Sequence, residues 1–439
     1  MGKKAGVSQF INQLGQVAGT LPDKRAGRHN QLYQMIDAVR GAFSVFFSQS
    51  ASFLAHQQDM ERQRGRSNAQ SIFQMGRIPS DNHIRDLLDP TPAAAYEPCY
   101  LWLWEQLAEA EKALAGFRAF DDRLLMGLDG IEFFHSTKIH CEQCYEQQTG
   151  GKTHYSHRAL TALVVHPDQK EVLPFIPEFI LPQDGAEKQD SEIAAAKRWI
   201  ERHRSWLQAQ KVIILGDDLF CHQPFCEELL KAKLGFILVC KPDSHSLLYE
   251  WIAGMERGGK LAEVTRREWN GRHGEIWRYR YALDVPLRAG DDGLRVNWCE
   301  VTITHEQTGE LLYTNSFATN LPVDEHLVKT VTHAGRSRWK HENEGHNILT
   351  TKGYHIKHNF GHGQEHLASV MFSLNLLAFF LHTYLHLVDT TYRKVRAELG
   401  ARRIFFDDVR ALMRYLVFDS WEMMLQFMAI RLELESAPD

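Results

Sequence analysis

The sequence has few cysteines, no internal repeat and no low-complexity tract. Seven cysteines in 439 residues are an odd number and too few for a small disulfide-stapled scaffold, and the lack of a repeat period excludes a repeat architecture. The first residues have neither the apolar core of a secretory signal peptide nor the Ser or Thr of a myristoylation site. These absences predict a protein of the reducing cytoplasm without a lipid anchor.

Long apolar runs are also scarce. Only residues 367–388 form a run long enough to span a bilayer. Asn375, His382 and His386 interrupt this run, and no cluster of Lys or Arg flanks it as a topology signal. The sequence therefore predicts a helix that is buried on all sides in a large core, and no membrane partner.

Positive charge is not in excess, because the net charge is −5. This does not exclude a nucleic-acid partner, since phosphate binding depends on local basic surface rather than on the sum of charges. Basic residues do cluster locally, at Arg266, Arg267 and Arg272 and again at Arg336, Arg338 and Lys340. The length and the hydrophobic content of 44% are those of an ordinary folded protein with two or three domains.

The residue pattern divides the chain into five regions. Helical spacing is typical of the first and last regions, strands alternate with helices in the second, strands prevail in the third, and the fourth returns to helix. The predicted boundaries are 1–118, 119–244, 245–325, 326–395 and 396–439. Three antiparallel strands followed by two strand–helix units are the order of the ribonuclease-H-like fold, so we predict an α/β protein with a mixed sheet, flanking helices and a β-rich insertion.

Three acidic residues stand where such a sheet would place a metal site. Asp129 ends the apolar run LLMGLDG, Asp217 ends KVIILGDD, and Glu342 lies in the basic stretch GRSRWKHENEGHN. A buried strand has no use for a terminal carboxylate unless a cation is bound there. Two Mg²⁺ or Mn²⁺ ions shared by such carboxylates can cut a phosphodiester, which predicts a nucleic-acid-cutting enzyme. Asp218 and Glu344 remain alternatives for the second and third acid.

Three segments resemble the DDE transposases of prokaryotic insertion sequences, in the branch whose third-acid motif is Y-x2-R-x3-E-x6-K. They are LDGIEFFHS at Asp129, ILGDDLF at Asp217 and RWKHE at Glu342, and the resemblance covers roughly residues 121–365. It implies a transposase in which the three acids hold Mg²⁺ or Mn²⁺, cut the ends of a mobile element and join them to target DNA.

The resemblance also implies binding partners, a cellular location and a role for each region of the chain. Double-stranded DNA is the implied partner, both as terminal inverted repeats and as target, and a homodimer would assemble on it in the cytoplasm, associated with the nucleoid. Regions 119–244 and 326–395 would form the catalytic core, and the N-terminal helices would bind the DNA ends. Gly335 and Leu349 stand at the Tyr and Lys positions of the motif, with Lys352 one helical turn further on.

The predicted DNA-binding residues surround the third acid. They are Arg338, Trp339, Lys340 and Lys352. Arg338 and Glu342 are four residues apart and share one helical face, so the Arg can steer a phosphate beside the metal-binding carboxylate. We expect these residues to form one basic face with the arginines at 266, 267 and 272.

A second pattern, C-x2-C-x9-H-x2-H, contains soft and borderline metal ligands. Its members are Cys141, Cys144, His154 and His157. Four such ligands at this spacing can close a tetrahedral structural zinc site in a small knuckle beside Asp129. The alternative is that they are the ordinary polar residues of a hairpin in a thiol-reduced protein.

Two other functions fit parts of the sequence. His362, Glu365 and His366 match the H-x-x-E-H form of some zinc peptidases, although Gly361 and Gly363 favour a loop at the first His. A transposase-derived DNA-binding protein without catalysis would use the three acids for structure alone. A further acid, Glu192, is predicted to favour a helix N-terminus and to have no catalytic role.

Overall fold

The protein is described by a computed structural model over residues 5–25, 32–61, 67–182 and 190–436. In this part of the chain helices precede, interrupt and follow the strands. The helices are α1 (Val7–Thr20), α2 (Met35–Phe47), α3 (Phe53–Glu61), α4 (Asn68–Ser71), α5 (Asp81–Leu88), α6 (Glu97–Glu109), α7 (Glu111–Ala115), α8 (Glu192–Ala209), α9 (Gln223–Lys231), α10 (Ser246–Arg257), α11 (Val328–Arg336), α12 (Asn347–Thr351), α13 (Leu367–Val388), α14 (Thr390–Glu398), α15 (Arg402–Tyr415) and α16 (Trp421–Arg431). The strands are β1 (Arg118–Ala119), β2 (Arg123–Ser136), β3 (Tyr145–Thr149), β4 (Lys152–Val165), β5 (Leu173–Pro174), β6 (Glu178–Ile180), β7 (Ile213–Gly216), β8 (Gly235–Val239), β9 (Ala262–Trp269), β10 (Gly274–Pro286), β11 (Arg295–His305) and β12 (Leu311–Thr319).

Within the described ranges, these twelve strands form one mixed sheet. The order is β3-β4-β2-β7-β8-β12-β11-β10-β9, with β1 added to β2 and with β5 and β6 added to β4. Strand β2 is antiparallel to β4 and parallel to β7, and β7 is parallel to β8. The parallel pairs require crossover connections, which α8 and α9 provide. The predicted α/β class with a mixed sheet is confirmed.

The parallel strands form because their sequences are apolar on both faces. Every residue of IILG in β7 is buried, as is FILV in β8, and such strands pair in a sheet that is covered on both sides. Helix α8 covers one side with Ala195, Trp199 and Ile200, which recur at the three- and four-residue spacing of one helical face. The hydroxyl of Ser191 caps this helix by accepting the Ala194 N–H at 3.2 Å.

The predicted β-rich insertion extends the same sheet. It begins with a helix, α10, and continues as the antiparallel strands β9 to β12. Strand β12 pairs with β8, from Phe317 opposite Val239 to Thr319 opposite Ile237. The insertion therefore covers the edge that β8 would otherwise expose, and β9 becomes the outer strand.

Helix α13 is the centre of the core. The ring of Phe372 lies 4.5 Å from that of Phe133 in β2, which joins the helix to the sheet. On another side the hydroxyl of Tyr100 in α6 donates to the Ser373 carbonyl at 2.9 Å. Among the described helices it alone is long and apolar enough to cross a membrane, and its apolar window is wholly buried within the protein. The prediction of a buried core helix is confirmed.

Helices from the first and last predicted regions pack together around α13. The side-chain amide of Asn68 donates to the carbonyls of Met413 and Leu416 at 2.8 and 2.7 Å, and its oxygen accepts the Phe418 N–H at 2.9 Å. Contacts between α1 and α16 and between α3 and α15 continue this packing. Within the described ranges the two regions thus share one helical body.

A buried histidine in this helical body makes stability depend on pH. His56 lies between the hydroxyls of Ser44 and Ser50, at 2.7 and 3.0 Å, and burial lowers its pKa to about 4. Below about pH 6.5 the unfolded chain binds a proton that the folded state does not, so stability falls as the pH falls. Between pH 7 and pH 5 the wild type should lose about 2 kcal/mol more than His56→Gln, which has no such proton. Urea unfolding of both proteins at the two pH values measures this, and equal losses would contradict it.

Candidate carboxylate and metal sites

Asp129 and Asp217 lie side by side because their strands are in register. Strands β2 and β7 pair from Leu125 opposite Ile213 to Gly127 opposite Leu215, and each Asp comes two residues after the last pair. Neighbouring strands lie about 4.8 Å apart, so the two carboxylates start from adjacent points. The structure therefore places these two acids on neighbouring strands, while a shared metal stays a prediction.

Burial and neighbouring carboxylates raise the pKa values of Asp129 and Glu192 at this site. Burial first, and then the negative charges of Asp217 and Glu192, raise the pKa of Asp129 to about 7, although Arg338 lowers it. Burial and the charge of Asp217 also raise the pKa of Glu192. Carboxylates that raise one another's pKa in this way ionise more readily when a cation binds between them. The donor set fits a divalent metal that prefers oxygen.

Glu192 is the acid that the sequence analysis set aside. It is the first residue of α8, and it reaches the site across Gly130 of β2. A Cβ atom at Gly130 would lie 2.2 Å from the Glu192 carboxylate oxygen, so only glycine leaves room for this approach. The expectation of no role in the site rested on the local helix-start pattern, whereas α8 begins directly over the strand that carries Asp129.

Glu342 lies on a π-helical turn, His341–His346, between α11 and α12. Its side chain is exposed, and it is not among the charges that shift the pKa of Asp129. Arg338, four residues earlier, is near enough to Asp129 to lower its pKa. The structure thus places Glu342 on the segment that faces the two aspartates, without a direct contact to either of them.

Two histidines of this turn fix it against the strand. The hydroxyl of Thr161 in β4 donates to the Asp129 carbonyl at 3.0 Å and also lies 2.8 Å from His341 Nε2 and 2.7 Å from His346 Nε2. Burial lowers the pKa of both rings, that of His346 to about 4. Both are therefore neutral near pH 7, and with Asp129 they also form a group that could hold a metal ion.

The two alternative acids point elsewhere. Asp218 accepts the Lys241 N–H at 2.7 Å and also the Ser244 hydroxyl, so its carboxylate is turned toward the loop after β8. Glu344 lines a groove on another side of the π-helical turn. Geometry therefore favours Asp217 over Asp218 and leaves Glu344 away from Asp129.

Lys340 is not available for DNA binding, contrary to expectation. Its side chain is 6% exposed, and its ammonium donates to the carbonyls of His166, Pro167 and Gln169 at 2.8, 2.6 and 2.5 Å. Three short bonds to carbonyl oxygens satisfy all the donors of an ammonium group. Lys340 thus holds the loop after β4 instead of meeting solvent.

Trp339 and Lys352 line an open groove of about 1200 Å³ between the π-helical turn and helices α13 to α15. Trp339 is 41% exposed. Six cationic side chains face three acidic ones along the groove. The cationic ones are Lys170, Lys352, Arg396, Arg402, Arg403 and Arg410.

By contrast, Arg266 and Arg267 lie on β9, five strands from β7, or about 24 Å across the sheet. Neither arginine lines the groove.

The buried residues Gly335 and Leu349 explain the two departures from the transposase motif. A Cβ atom at Gly335 would lie 2.8 Å from the Phe317 ring and 2.9 Å from Ile237, so a Tyr side chain has no room there. Leu349 is fully buried, where an unpaired lysine would be unfavourable. Neither position can supply a polar contact to DNA in this fold.

A thiol and imidazole cluster lies at the far end of β2, where β3 and β4 meet the loop before α13. Its members are Cys141, Cys144, His157 and His362, all buried. The two sulfurs are 4.0 Å apart, the sulfur–nitrogen distances that join them to the rings are 3.6, 3.5 and 3.3 Å, and the two Nε2 atoms are 3.1 Å apart. A tetrahedral zinc site has edges of about 3.4 to 3.8 Å. The cluster could therefore hold a metal ion without rearrangement.

Hydrogen bonds to His362 and Cys144 favour cation binding by the cluster. The Nδ1 of His362 lies 2.9 Å from the Gly363 carbonyl, so it donates there and leaves Nε2 free to bind a metal. A hydrogen bond from Cys141 lowers the pKa of the Cys144 thiol to about 7, against the effect of burial. A thiolate at Cys144 is the form that binds metal.

The structure puts His362 at the place for which the sequence predicted His154. His154 instead lies 3.1 Å from His135 on the exposed side of the hairpin. The physical reason is the two-residue repeat of a strand: His154 and His157 are three residues apart in β4 and so face opposite sides of the sheet. The two-residue strand repeat could have excluded His154, but no local signal connects His362 to Cys144.

The same geometry gives the residues of the H-x-x-E-H pattern other partners. His362 belongs to the thiol cluster, and Glu365 makes an ion pair with Lys24 at 2.5 Å. The pattern lies before α13, which begins at Leu367, so its two histidines do not share a helical face. This arrangement does not favour a peptidase.

Neither the family models nor the curated proteins with which the sequence was compared give a match.

The position of Glu192 predicts a measurable role in metal binding. Replacing Glu192 with Gln removes one carboxylate from the group around Asp129 and should weaken Mn²⁺ binding by about 10-fold to 100-fold. Isothermal titration calorimetry measures the affinity. Glu201→Gln, an exposed change on the same helix, should leave it unaltered. Equal affinities of Glu192→Gln and the wild type would exclude Glu192 from the site.

Proposed function

We propose that this protein is a DNA transposase of the DDE type, in which Asp129, Asp217 and Glu342 are the catalytic acids. The observation that carries the proposal is the adjacency of Asp129, within β2, and Asp217, just after β7, each two residues beyond the parallel pairing of these strands. Arg338 and the turn that bears Glu342 face the same point. Carboxylates and a guanidinium so arranged suit a phosphodiester held by divalent cations.

The strand order supports a ribonuclease-H-like core. Strands β2, β4 and the short β5 and β6 form the antiparallel part, and β7 and β8 add two parallel strands on the other side of β2. The acids stand on β2, after β7 and on a helical segment beyond the insertion. That is the order that the resemblance to transposases implies.

Mg²⁺ fits the site because carboxylates lie close together there: burial and the charge of Asp217 raise the pKa of both Asp129 and Glu192. Asp129 and Asp217 would hold the ion, with Glu342 or Glu192 beside them. When bound, the metal would lower the pKa of a water and stabilise the leaving oxygen. Arg338 orients the scissile phosphate by pairing with its charged oxygens. The neutral His341 and His346 keep the turn in place.

The chemistry is two displacements at phosphorus. In the first, water attacks a phosphorus at the element end, a new P–O bond forms, and the P–O3′ bond breaks to leave a free 3′-hydroxyl. In the second, that hydroxyl attacks a phosphorus of the target strand and displaces the target 3′ oxygen. One proton leaves each attacking oxygen and one reaches each leaving oxygen, so no external energy source is needed.

The DNA would follow the basic groove beside Glu342. Trp339 and Lys352 line this groove together with five further cations, and such a surface binds phosphates without regard to sequence. A stacking surface at Trp339 suits an unpaired base near a cut end. Two ends must be cut together, so the active form we propose is a homodimer on double-stranded DNA, cytoplasmic and nucleoid-associated.

The test of this function begins with the DNA that flanks the gene. A labelled duplex carrying matched inverted repeats from that DNA should be nicked at the repeat end by the purified protein, in Mg²⁺ or Mn²⁺ and not in Ca²⁺ or chelator. Absence of inverted repeats together with no nicking of any flanking duplex would overturn the proposal.

We infer that the cluster of Cys141, Cys144, His157 and His362 holds a structural zinc ion. The five ligand distances and the orientation of His362 support this, as does the burial of the four ligands. Such a metal would tie the hairpin of β3 and β4 to the loop before α13, next to the strand that carries Asp129.

Arg338 offers a test of phosphate positioning. Arg338→Ala should lower cleavage by about 100-fold but DNA affinity by much less, because it removes a contact to one phosphate only. Gel assays of cleavage and anisotropy of a labelled duplex measure the two effects. Arg336→Ala is the matched control, since Arg336 lies over the rings of Trp277 and Tyr313. Equal loss of affinity and cleavage in Arg338→Ala would assign this residue to general binding.

A further inference from the structure

A second group of thiol and imidazole ligands lies at the carboxyl ends of β7 and β8. Cys221 is in the loop between β7 and α9, Cys240 directly follows β8, and His245 precedes α10. One ligand atom from each lies within 4.8 Å of the other two. All three side chains are buried. The residues come together because parallel neighbouring strands end at the same edge of a sheet.

The ring of His245 has a nitrogen without a suitable partner. Its Nε2 is buried and has no hydrogen bond to the described atoms, and the nearest carboxylate oxygen, Oδ1 of Asp218, is 3.6 Å away. That distance is too long for a hydrogen bond. Cys221 is nevertheless close enough to influence the ring: burial lowers the pKa of His245, and Cys221, Asp218 and a backbone hydrogen bond at Leu287 together raise it above its usual value. The ring therefore faces the sulfur without a hydrogen bond of good geometry.

The cluster also has space for a further ligand. A cavity of about 360 Å³ is lined in part by Cys221 and His245. Two sulfurs, one imidazole nitrogen and a water are a ligand set that zinc accepts in a tetrahedral site. The cavity is large enough for that water.

We propose that Cys221, Cys240 and His245 form a zinc site that is separate from the cluster of Cys141, Cys144, His157 and His362. The two cysteines bind as thiolates and release their protons to solvent, and a water from the cavity completes the tetrahedron. The proposal does not depend on DNA chemistry, because it concerns only these ligands.

The site would fix the position of Asp217. Asp217 is four residues before Cys221 in the same loop, and Asp218 already bonds to the loop after β8 through Lys241 and Ser244. A metal that joins Cys221 to Cys240 and His245 would add a second link between the same two loops. Its removal should therefore loosen the loop that carries the second acid.

Metal analysis of the purified full-length protein tests the proposal. We expect two zinc ions per chain in the wild type, one in Cys240→Ser and one in Cys144→Ser, because the two changes affect different sites. Cys226→Ser is the matched control: Cys226 is a buried thiol on α9 that belongs to neither cluster, and this variant should keep both ions. Equal zinc content in Cys240→Ser and the wild type would overturn the proposal.

A second measurement uses the wild type alone and so does not require that Cys240→Ser folds. Anomalous diffraction at the zinc edge should give a peak bounded by Cys221, Cys240 and His245. A peak confined to the cluster of Cys141 would overturn the proposal and leave a buried thiol pair. A disulfide between Cys221 and Cys240 would overturn it as well.

Discussion

Asp129→Asn, Asp217→Asn and Glu342→Gln should each lower metal-dependent cleavage of the repeat-end duplex by roughly three orders of magnitude. Each change removes a carboxylate charge that would hold the cation while it keeps the size of the side chain. DNA binding should change by less than about twofold, because the phosphate contacts lie on cationic residues. Cleavage of labelled duplex in Mg²⁺ and fluorescence anisotropy in Ca²⁺ measure the two quantities.

The control for this series is Glu132→Gln, on the same strand as Asp129. Glu132 forms an ion pair with Arg158 at 3.2 Å and is not among the charges that shift the pKa of Asp129. The Glu132→Gln variant should therefore cleave like the wild type. Glu342 and Glu192 compete for the third position. If Glu342→Gln cleaves normally and Glu192→Gln does not, the third acid is Glu192 and the assignment based on the motif fails.

The second large effect concerns the cluster of Cys141, Cys144, His157 and His362. Cys144→Ser and His362→Ala should each lose one zinc ion and lower the melting temperature by at least about 5 °C, because metal binding is coupled to folding. Mass spectrometry of the purified variants measures the metal, and calorimetry measures the melting temperature.

His154→Ala separates the structural ligand set from the one that the sequence predicts. His154 belongs to the predicted set but faces away from the cluster, so its variant should keep the zinc ion and the wild-type melting temperature. Loss of zinc in His154→Ala with retention in His362→Ala would reverse the assignment of the fourth ligand.

Much of the fold follows from local patterns. The apolar runs before Asp129 and Asp217 predict buried strands, and the apolar run at residues 367–388 predicts the core helix, because burial on both faces or all sides leaves no polar period in the sequence. Asp217 follows the end of such a strand, whereas Asp129 lies within β2, which continues to Ser136, so the two aspartates are neighbours because of the parallel register of their strands.

Residues brought in by distant packing were not predictable. The sequence predicts that Lys340 contacts DNA beside Arg338, but the loop at residues 166–169 covers it and its carbonyl oxygens bind the Lys340 ammonium. His362 joins the thiol cluster across 205 residues from His157. Glu192 reaches the carboxylates only because Gly130 leaves room beneath it. In each case the deciding contact joins residues that are far apart in the sequence, so no sequence spacing predicts it.

The central place of α13 affects how the protein folds during synthesis. Helix α2 packs on α13, and roughly 320 residues separate the two helices in the sequence. At about 5–20 residues per second, a ribosome needs roughly 16 to 64 seconds to make that length. For this time Phe47 of α2, whose ring lies 4.7 Å from that of His382 in the folded protein, has no native partner from α13. Nascent chains should therefore need a chaperone that shields the first helices until α13 has left the ribosome.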